Sequence, residues 1–315
     1  MKYKLSVLLG AICYGILSTI VTKAYEHGYS LGEVVGSQLL TGFVLAWALV
    51  LVRKGWKGRT QSADGAEPRR YGKLNWKQRV LLMAAGTPTA VTGLLYYESL
   101  RYIPNSLAIV LLFQFTWIGV LMQAIARRQR PGGGMLFTLA VLLGGTLMAA
   151  GIADQGLAGL NWLGVAYGLA SAFSYSLFIL FSGKAVPSVH PTYRSAWMIT
   201  GGMLLVFALF PPAFLFDGTL WAGLLPFGLM LGLFGAFLPP VLYAIGVPRI
   251  GEGLTGILGA SELPVAVLLA AAVLHEQVSV LQWAGVALVL IGVALPELLG
   301  RLRKKSAFPN GSHAL

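Results

Sequence analysis

The sequence predicts an all-α integral membrane protein, with ten transmembrane helices arranged as two inverted five-helix repeats. Three observations predict it. The 315 residues are 57% hydrophobic and 11% charged, with 40 glycines, a balance far too apolar for a soluble chain of this length. The basic residues gather in alternate gaps between apolar runs. The chain also matches itself at a fixed offset.

Taking roughly twenty apolar residues as one crossing, the segments are residues 4–22, 31–52, 79–97, 105–126, 133–152, 162–183, 195–216, 221–245, 252–274 and 279–299. Lys2 and Lys4 before the first run look like the start of a signal peptide, but no A-x-A cleavage site follows, so the run reads as an uncleaved first helix. With the amino terminus inside, 21 of the 23 basic residues fall on the cytoplasmic side and only Lys23 and Arg101 fall outside. Positive charge is retained in cytoplasmic loops, so this bias supports both the helix count and the orientation. The net charge of +12 therefore reflects topology in a lipid bilayer, and no nucleic-acid partner is expected. The expected location is a bacterial inner membrane, multi-pass, with both termini cytoplasmic.

The loop at 53–79 is basic and polar, a linker rather than a domain. The tail at 301–315 is short and basic, suited to acidic headgroups, and its Asn310-Gly311-Ser312 sequon has no meaning on the cytoplasmic side. Cys13 is the one cysteine and cannot form an internal disulfide.

An offset of 147 places Leu95-Tyr96 on Leu242-Tyr243, Ile103 on Ile250, Leu111 on Leu258 and Gly145 on Gly292. Near the amino terminus an offset of 161 places Tyr14 on Tyr175 and Lys23-Ala24 on Lys184-Ala185. The difference fits extra length in the 53–79 loop. The domains are then 1–152 and 153–300. Five helices per repeat is odd, so the second repeat is expected upside down relative to the first, the plan of secondary transporters with a site near the midplane.

The chemistry centres on Leu254 to Leu274, an apolar run holding Glu262 and, two residues later, Pro264. Charge at that depth costs a few kcal/mol or more, so such a residue faces a cavity or a partner. A desolvated carboxylate suits a group that binds a proton in one state and a cation or amine in the other. The alternative is a structural glutamate bonded to backbone freed near the proline. Thr255, Gly259 and Glu262 share a face, with Ser261 adjacent. In the third helix the run Thr87 to Gly93, with Pro88, is expected to break the helix, matched in the eighth by Gly235 and Pro239-Pro240. Thr89, Thr92 and Tyr96 share a face there, and Tyr243 is the equivalent of Tyr96. Gln114 and Trp117 lie three apart in the fourth helix, where an indole could hold a cationic or aromatic group or simply pack. Tyr14 and Tyr175 form an equivalent pair of cavity walls. The alternative for all of these is ordinary helix packing. Gly145, Gly285 and Gly292 mark the fifth and tenth helices as packing helices, within the chain or in a homodimer.

Glu33, Glu98, Glu252 and Glu297 lie near helix ends, within reach of the interface or of basic partners. His275-Glu276 begins like a zinc motif, but position 279 is Ser where a second His is required. Asp64, Asp154 and Asp217 lie in loops and no P-loop occurs, so neither an intramembrane aspartate enzyme nor an ATP-driven pump is expected. No cofactor or metal is implied. No carbonyl filter or acidic ring suggests a channel.

Tyr14-Gly15 with Lys23, Leu100-Arg101-Tyr102-Ile103-Pro104, Tyr243-Ala244-Ile245-Gly246, Ser261-Glu262-Leu263-Pro264 and His275-Glu276-Gln277 occur in order over residues 4–300. In these the sequence resembles the drug/metabolite transporter superfamily, in its ten-helix exporter branch with two EamA-type halves. The resemblance implies a cavity lined by helices 1, 3, 4, 6, 8 and 9, with helices 5 and 10 outside, and export of amino acids, other small metabolites, nucleotide sugars or toxic cations, often coupled to protons. Three departures stand out. Phe115-Thr116-Trp117 occupies the position of Glu262-Leu263-Pro264, Gln38 stands where an arginine is common, and the first helix lacks the glutamate of the small four-helix relatives.

The expected function is secondary export of an amino acid or related amine by alternating access, with proton coupling as an open option and efflux of lipophilic cations as the alternative. Glu262 is the expected substrate or proton site, with Gln114, Trp117, Tyr96, Thr92, Tyr14, Tyr175, Tyr243 and Ser261 as cavity residues. The charge bias makes a direct prediction. A green fluorescent protein fused after Leu315 should fluoresce, and alkaline phosphatase at the same place should be inactive; the opposite pair of results would invert the topology.

Overall fold

The computed structural model describes residues 1–57, 74–126, 128, 133–149, 160–182, 185–186, 189–250 and 258–307. The calls on Thr255, Glu252, Lys184, Asp64, Asp154, most of the 53–79 loop and the end of the tail lie outside these residues, as does the side chain of Glu297. The regular elements among the described residues are helical. They are α1 (Lys2–Gly15), α2 (Leu17–Glu26), α3 (Leu31–Lys57), α4 (Trp76–Ser99), α5 (Asn105–Leu112), α6 (Phe115–Ala126), α7 (Gly133–Ala149), α8 (Trp162–Ser182), α9 (Pro191–Leu209), α10 (Leu225–Leu231), α11 (Leu238–Ile250), α12 (Glu262–Val273) and α13 (Val280–Ala307). Among the described residues, five stretches are long and apolar enough to cross a membrane: Lys2–Glu26, Leu31–Arg53, Trp76–Ser99, Trp162–Phe181 and Leu220–Tyr243. Shorter apolar helices at Asn105–Gly119, Leu136–Ala149, Glu262–Val273 and Val280–Leu295 occupy further predicted segments. Helices are the expected answer in hydrocarbon, where every backbone donor and acceptor must be paired within its own segment. The protein is thus an all-α membrane protein.

The expected break in the third helix is not there. α4 runs unbroken through Pro88. Proline lacks the N–H that would pair the Ala84 carbonyl, and Thr87 Oγ1 donates to that carbonyl at 2.8 Å instead. The eighth segment stays helical through Gly235 and Pro239-Pro240 but is kinked at Gly223 (φ 134°) and underwound by π-helical turns at Leu220–Leu224 and Gly232–Phe237 that flank α10. Thr41 Oγ1 donates to the Gly228 carbonyl at 2.6 Å where this irregular stretch meets α3.

Helix pairings come in matched sets. α1 packs on α11 as α8 packs on α4; α3 packs on α10 and its π-turn as α9 packs on α4; α12 packs on α1 and α2 as α5 and α6 pack on α8. α3 with α9 and α7 with α13 complete the set, and each of these pairings has its counterpart five segments along. The α7–α13 seam uses the glycines singled out above. A Cβ at Gly145 would lie 2.9 Å from Val289, and one at Gly292 would lie 2.7 Å from Leu142, so these close approaches serve the pair within the chain.

α4 crosses α9 at main-chain contact, where Gly86 meets the backbone of Met198 and Gly201 meets that of Met83. No side chain fits there, whereas Gly93 on the same helix α4 faces open space. Overpacking a tight interior costs about 1–3 kcal/mol even for extra methylenes, and here the obstacle is main chain. Gly86→Val or Gly201→Val should abolish a monodisperse peak in size-exclusion chromatography, while Gly93→Ala should leave it unchanged.

Candidate functional site

Two segments are irregular at equivalent places. Between α5 and α6 the helix tightens at Phe113-Gln114, where Gln114 N–H donates to Leu111 O, Thr116 N–H to Phe113 O and Ile118 N–H to Gln114 O. Between Leu258 and α12 it tightens at Ala260-Ser261, where Ser261 N–H donates to Leu258 O, Leu263 N–H to Ala260 O and Val265 N–H to Ser261 O. The two sets are the same three bonds, moved along the chain by the 147-residue offset. Such 3₁₀ turns inside a helix commonly mark a hinge or strain. A third irregularity, at Ile16, separates α1 from α2.

The hinge of the second half is pressed against the break in the first segment. A Cβ at Gly15 would lie 2.8 Å from the Glu262 carbonyl oxygen and 2.8 Å from Val265 Cβ, so only glycine allows this approach. Glu262 opens α12 directly after the turn. Its side chain is half-buried, and among the described residues its carboxylate has neither a hydrogen-bond nor an ion-pair partner. Around it lie the phenols of Tyr14, Tyr96, Tyr97, Tyr175 and Tyr243, all within electrostatic range. The Tyr14 and Tyr243 rings are 6.3 Å apart. The Tyr243 hydroxyl reaches to 3.2 Å from where a Cβ on Gly259 would stand, which explains the small residue there. Residues from α1, α4, α8 and α11 thus converge on one acid.

The arrangement has an asymmetric twin. Phe115, the equivalent of Glu262, packs edge-on against Tyr175 at 4.7 Å, where Tyr175 is the equivalent of Tyr14. One half presents an acid to the centre and the other an apolar ring.

The remaining predicted residues are committed elsewhere. Gln114 is buried, its Nε2 donating to Val110 O at 2.8 Å and to Thr146 Oγ1 at 2.7 Å, while its Oε1 accepts from Trp117 Nε1 at 2.8 Å. That triad ties α5 and α6 to α7 and leaves the amide little capacity for a ligand. Thr92 Oγ1 and Ser174 Oγ both donate to Pro88 O, at 2.7 and 2.8 Å. Ser261 Oγ turns back to Leu258 O at 2.7 Å. Each of these hydroxyls is committed to a backbone carbonyl.

The sequence reading did not single out Tyr97, Ser18, Thr22, Asn105 or the role of Glu276. Glu276 Oε1 accepts from Asn105 N–H at 2.6 Å and Oε2 from Ser106 N–H at 3.2 Å, so it caps the start of α5 from the opposite half. An acid within a turn of a segment boundary, facing a helix start with no acidic residue in its first turn, is the available signal. Among the end-of-helix acids, Glu33 closes a reciprocal box with Ser30, and Glu98 pairs with Arg101 at 3.6 Å. Lys23 pairs with Glu26 at 2.7 Å.

The EamA-like transporter family model matches residues 162–296, a span that includes α12 and Glu262. An uncharacterized transporter of the cyanobacterium Synechocystis is 26% identical over 312 aligned positions, covering 92% of each chain. A solved structure titled only as the crystal structure of a protein overlays with a TM-score of 0.65 at 16% identity, over 96% of this chain and 98% of that one. The second half of this chain is thus similar to EamA-like transporters, and the whole chain is similar to a transporter of about the same length. The chain presents, at the meeting point of several segments, a carboxylate that no group among the described residues neutralises.

The Gln114 triad predicts a separable effect. Gln114→Leu strands the Trp117 indole N–H, and a stranded buried donor costs about 1–3 kcal/mol, whereas the Thr146 hydroxyl loses only a bond it accepts and still donates to Leu142 O at 2.7 Å. The variant should melt at a clearly lower temperature in detergent, and Thr146→Val combined with it should add little further loss.

Proposed function

We propose that this transporter exports a small metabolite, an amino acid or a related amine, across the inner membrane by alternating access between two inverted halves, with Glu262 binding the substrate ammonium and a proton in turn. The observation that carries this reading is the unpartnered carboxylate of Glu262 at a hinge, ringed by phenols. An ion held without a partner at such depth is destabilising by several kcal/mol. Either a proton or a cationic group relieves that cost, and one carboxylate cannot hold both at once. Mutual exclusion of proton and amine is the requirement for exchange. At an effective dielectric of about 20, an ammonium about 4 Å from the carboxylate gains about 4 kcal/mol, on the order of 10³ in affinity.

The matched 3₁₀ turns and the break at Ile16 supply hinges for alternating access, and the matched helix pairings support two halves built on one plan. Efflux of lipophilic cations is a second reading, favoured by the aromatic wall of Tyr14, Tyr96, Tyr175 and Tyr243, whose ring faces attract cations.

Counterflow in proteoliposomes against a panel of amino acids, simple amines and lipophilic cations, with and without a pH gradient, tests the proposal. A zwitterionic amino acid or amine should exchange in the wild type and respond to the gradient, and Glu262→Gln should lose the gradient response together with most of the affinity. Preferred exchange of lipophilic cations would select the second reading. An unchanged gradient response in Glu262→Gln would remove Glu262 from the coupling.

A further inference from the structure

Between Glu262 and the far ends of α2 and α5 lies a line of buried polar atoms that the proposed function leaves unexplained. Ser18 and Thr22 are one turn apart on α2, and Tyr14 lies a turn before them across the break. The Tyr96 hydroxyl faces Ser18 and lies within electrostatic range of both Glu262 and Glu276. Thr22 Oγ1 donates to Asn105 Oδ1 at 3.0 Å, and Glu276 receives the Asn105 N–H at 2.6 Å. Along this line Ser18 Oγ, Tyr96 OH and Asn105 Nδ2 are buried without a hydrogen-bond partner of full geometry, and so is Thr19 Oγ1 beside them. Orphaned buried polar atoms are rare, because each costs about 1–3 kcal/mol. Three of the five such atoms among the described residues belong to this one track and Thr19 lies beside it, the fifth being the Trp197 indole.

The spacing suits water. One helical turn advances about 5.4 Å, close to two hydrogen bonds of about 2.8 Å placed end to end, so a single water bridges successive hydroxyls. A polar site with several partners is where buried water is stable. Other routes to Glu262 look less suitable. The Thr92 and Ser261 hydroxyls are held by backbone carbonyls at 2.7 Å.

We propose that Ser18, Thr22, Tyr96 and Asn105 line a hydrated proton path joining Glu262 to the end of the molecule that carries Glu276, the outer face in the orientation the basic residues imply. The proposal rests on Glu262 binding a proton. A hydronium at the outer end releases one proton into the chain, each bridging water accepts one and passes one on, and Glu262 takes the last on a carboxylate oxygen, so every relay returns neutral. The titratable groups facing Glu262 are Tyr14, Tyr96, Tyr97, Tyr175 and Tyr243, with Glu276 at the far end.

The test needs no substrate. Dicyclohexylcarbodiimide modifies protonated carboxyls in apolar surroundings, and mass spectrometry reads the modified Glu262 peptide in oriented proteoliposomes whose outer and inner pH are set separately. Wild-type labelling should change several-fold with outer pH and not with inner pH. In Ser18→Ala/Thr22→Val, which removes two hydroxyls at little change in volume, the rate of response to an outer pH jump should fall at least several-fold, with an unaltered size-exclusion profile. A double variant that responds as fast as the wild type overturns the path and leaves the role of Glu262 standing. Labelling that follows only inner pH also overturns it. Labelling that follows neither pH removes the proton from Glu262, and the path with it.

Discussion

A chain inside hydrocarbon has no water with which to pair its backbone, so each departure from a regular helix must be satisfied by a side chain or avoided. The structure follows that constraint residue by residue. Thr87 pairs the carbonyl that Pro88 leaves free. Ser176 Oγ reaches Phe115 O at 3.1 Å, and Thr116 Oγ1 reaches Phe113 O at 3.0 Å, beside one tightened turn. Ser261 does the same beside the other. Hydroxyls that look in sequence like a ligand-binding track are largely occupied in keeping bent helices intact.

The few groups this repair leaves over define the centre of the molecule. Glu262 stands on the turn in the second half with its carboxylate unpartnered among the described residues, and Phe115 stands on the matching turn with its ring against Tyr175. Two copies of one backbone device thus carry different chemistry. Gly15 lets the first segment lie directly on the Glu262 backbone, next to both the break at Ile16 and the turn at Ala260-Ser261.

The fold was legible because hydrophobic length and the distribution of Lys and Arg are local properties, readable from the chain. The acid at Glu262 and the tyrosines at Tyr14, Tyr96, Tyr175 and Tyr243 were legible because an isolated carboxylate in an apolar run and tyrosines repeated at a fixed offset are uncommon. The breaks were misplaced. Pro88 signals a missing N–H, but only the structure shows Thr87 in its stead, whereas Phe113-Gln114 and Ala260-Ser261 contain no proline or glycine to announce a turn. The bonds of Gln114 to Thr146 and of Glu276 to Asn105 join residues far apart in sequence, and no local pattern encodes them.

The central claim is that proton and amine compete for one carboxylate. The direct measurement is proton release on adding a transported amine to the purified protein in weakly buffered detergent solution, followed with a pH dye. The account predicts that the wild type releases a proton as the amine binds and that Glu262→Gln binds weakly without release. Tight binding without release in the wild type, or equal release in Glu262→Gln, would contradict it.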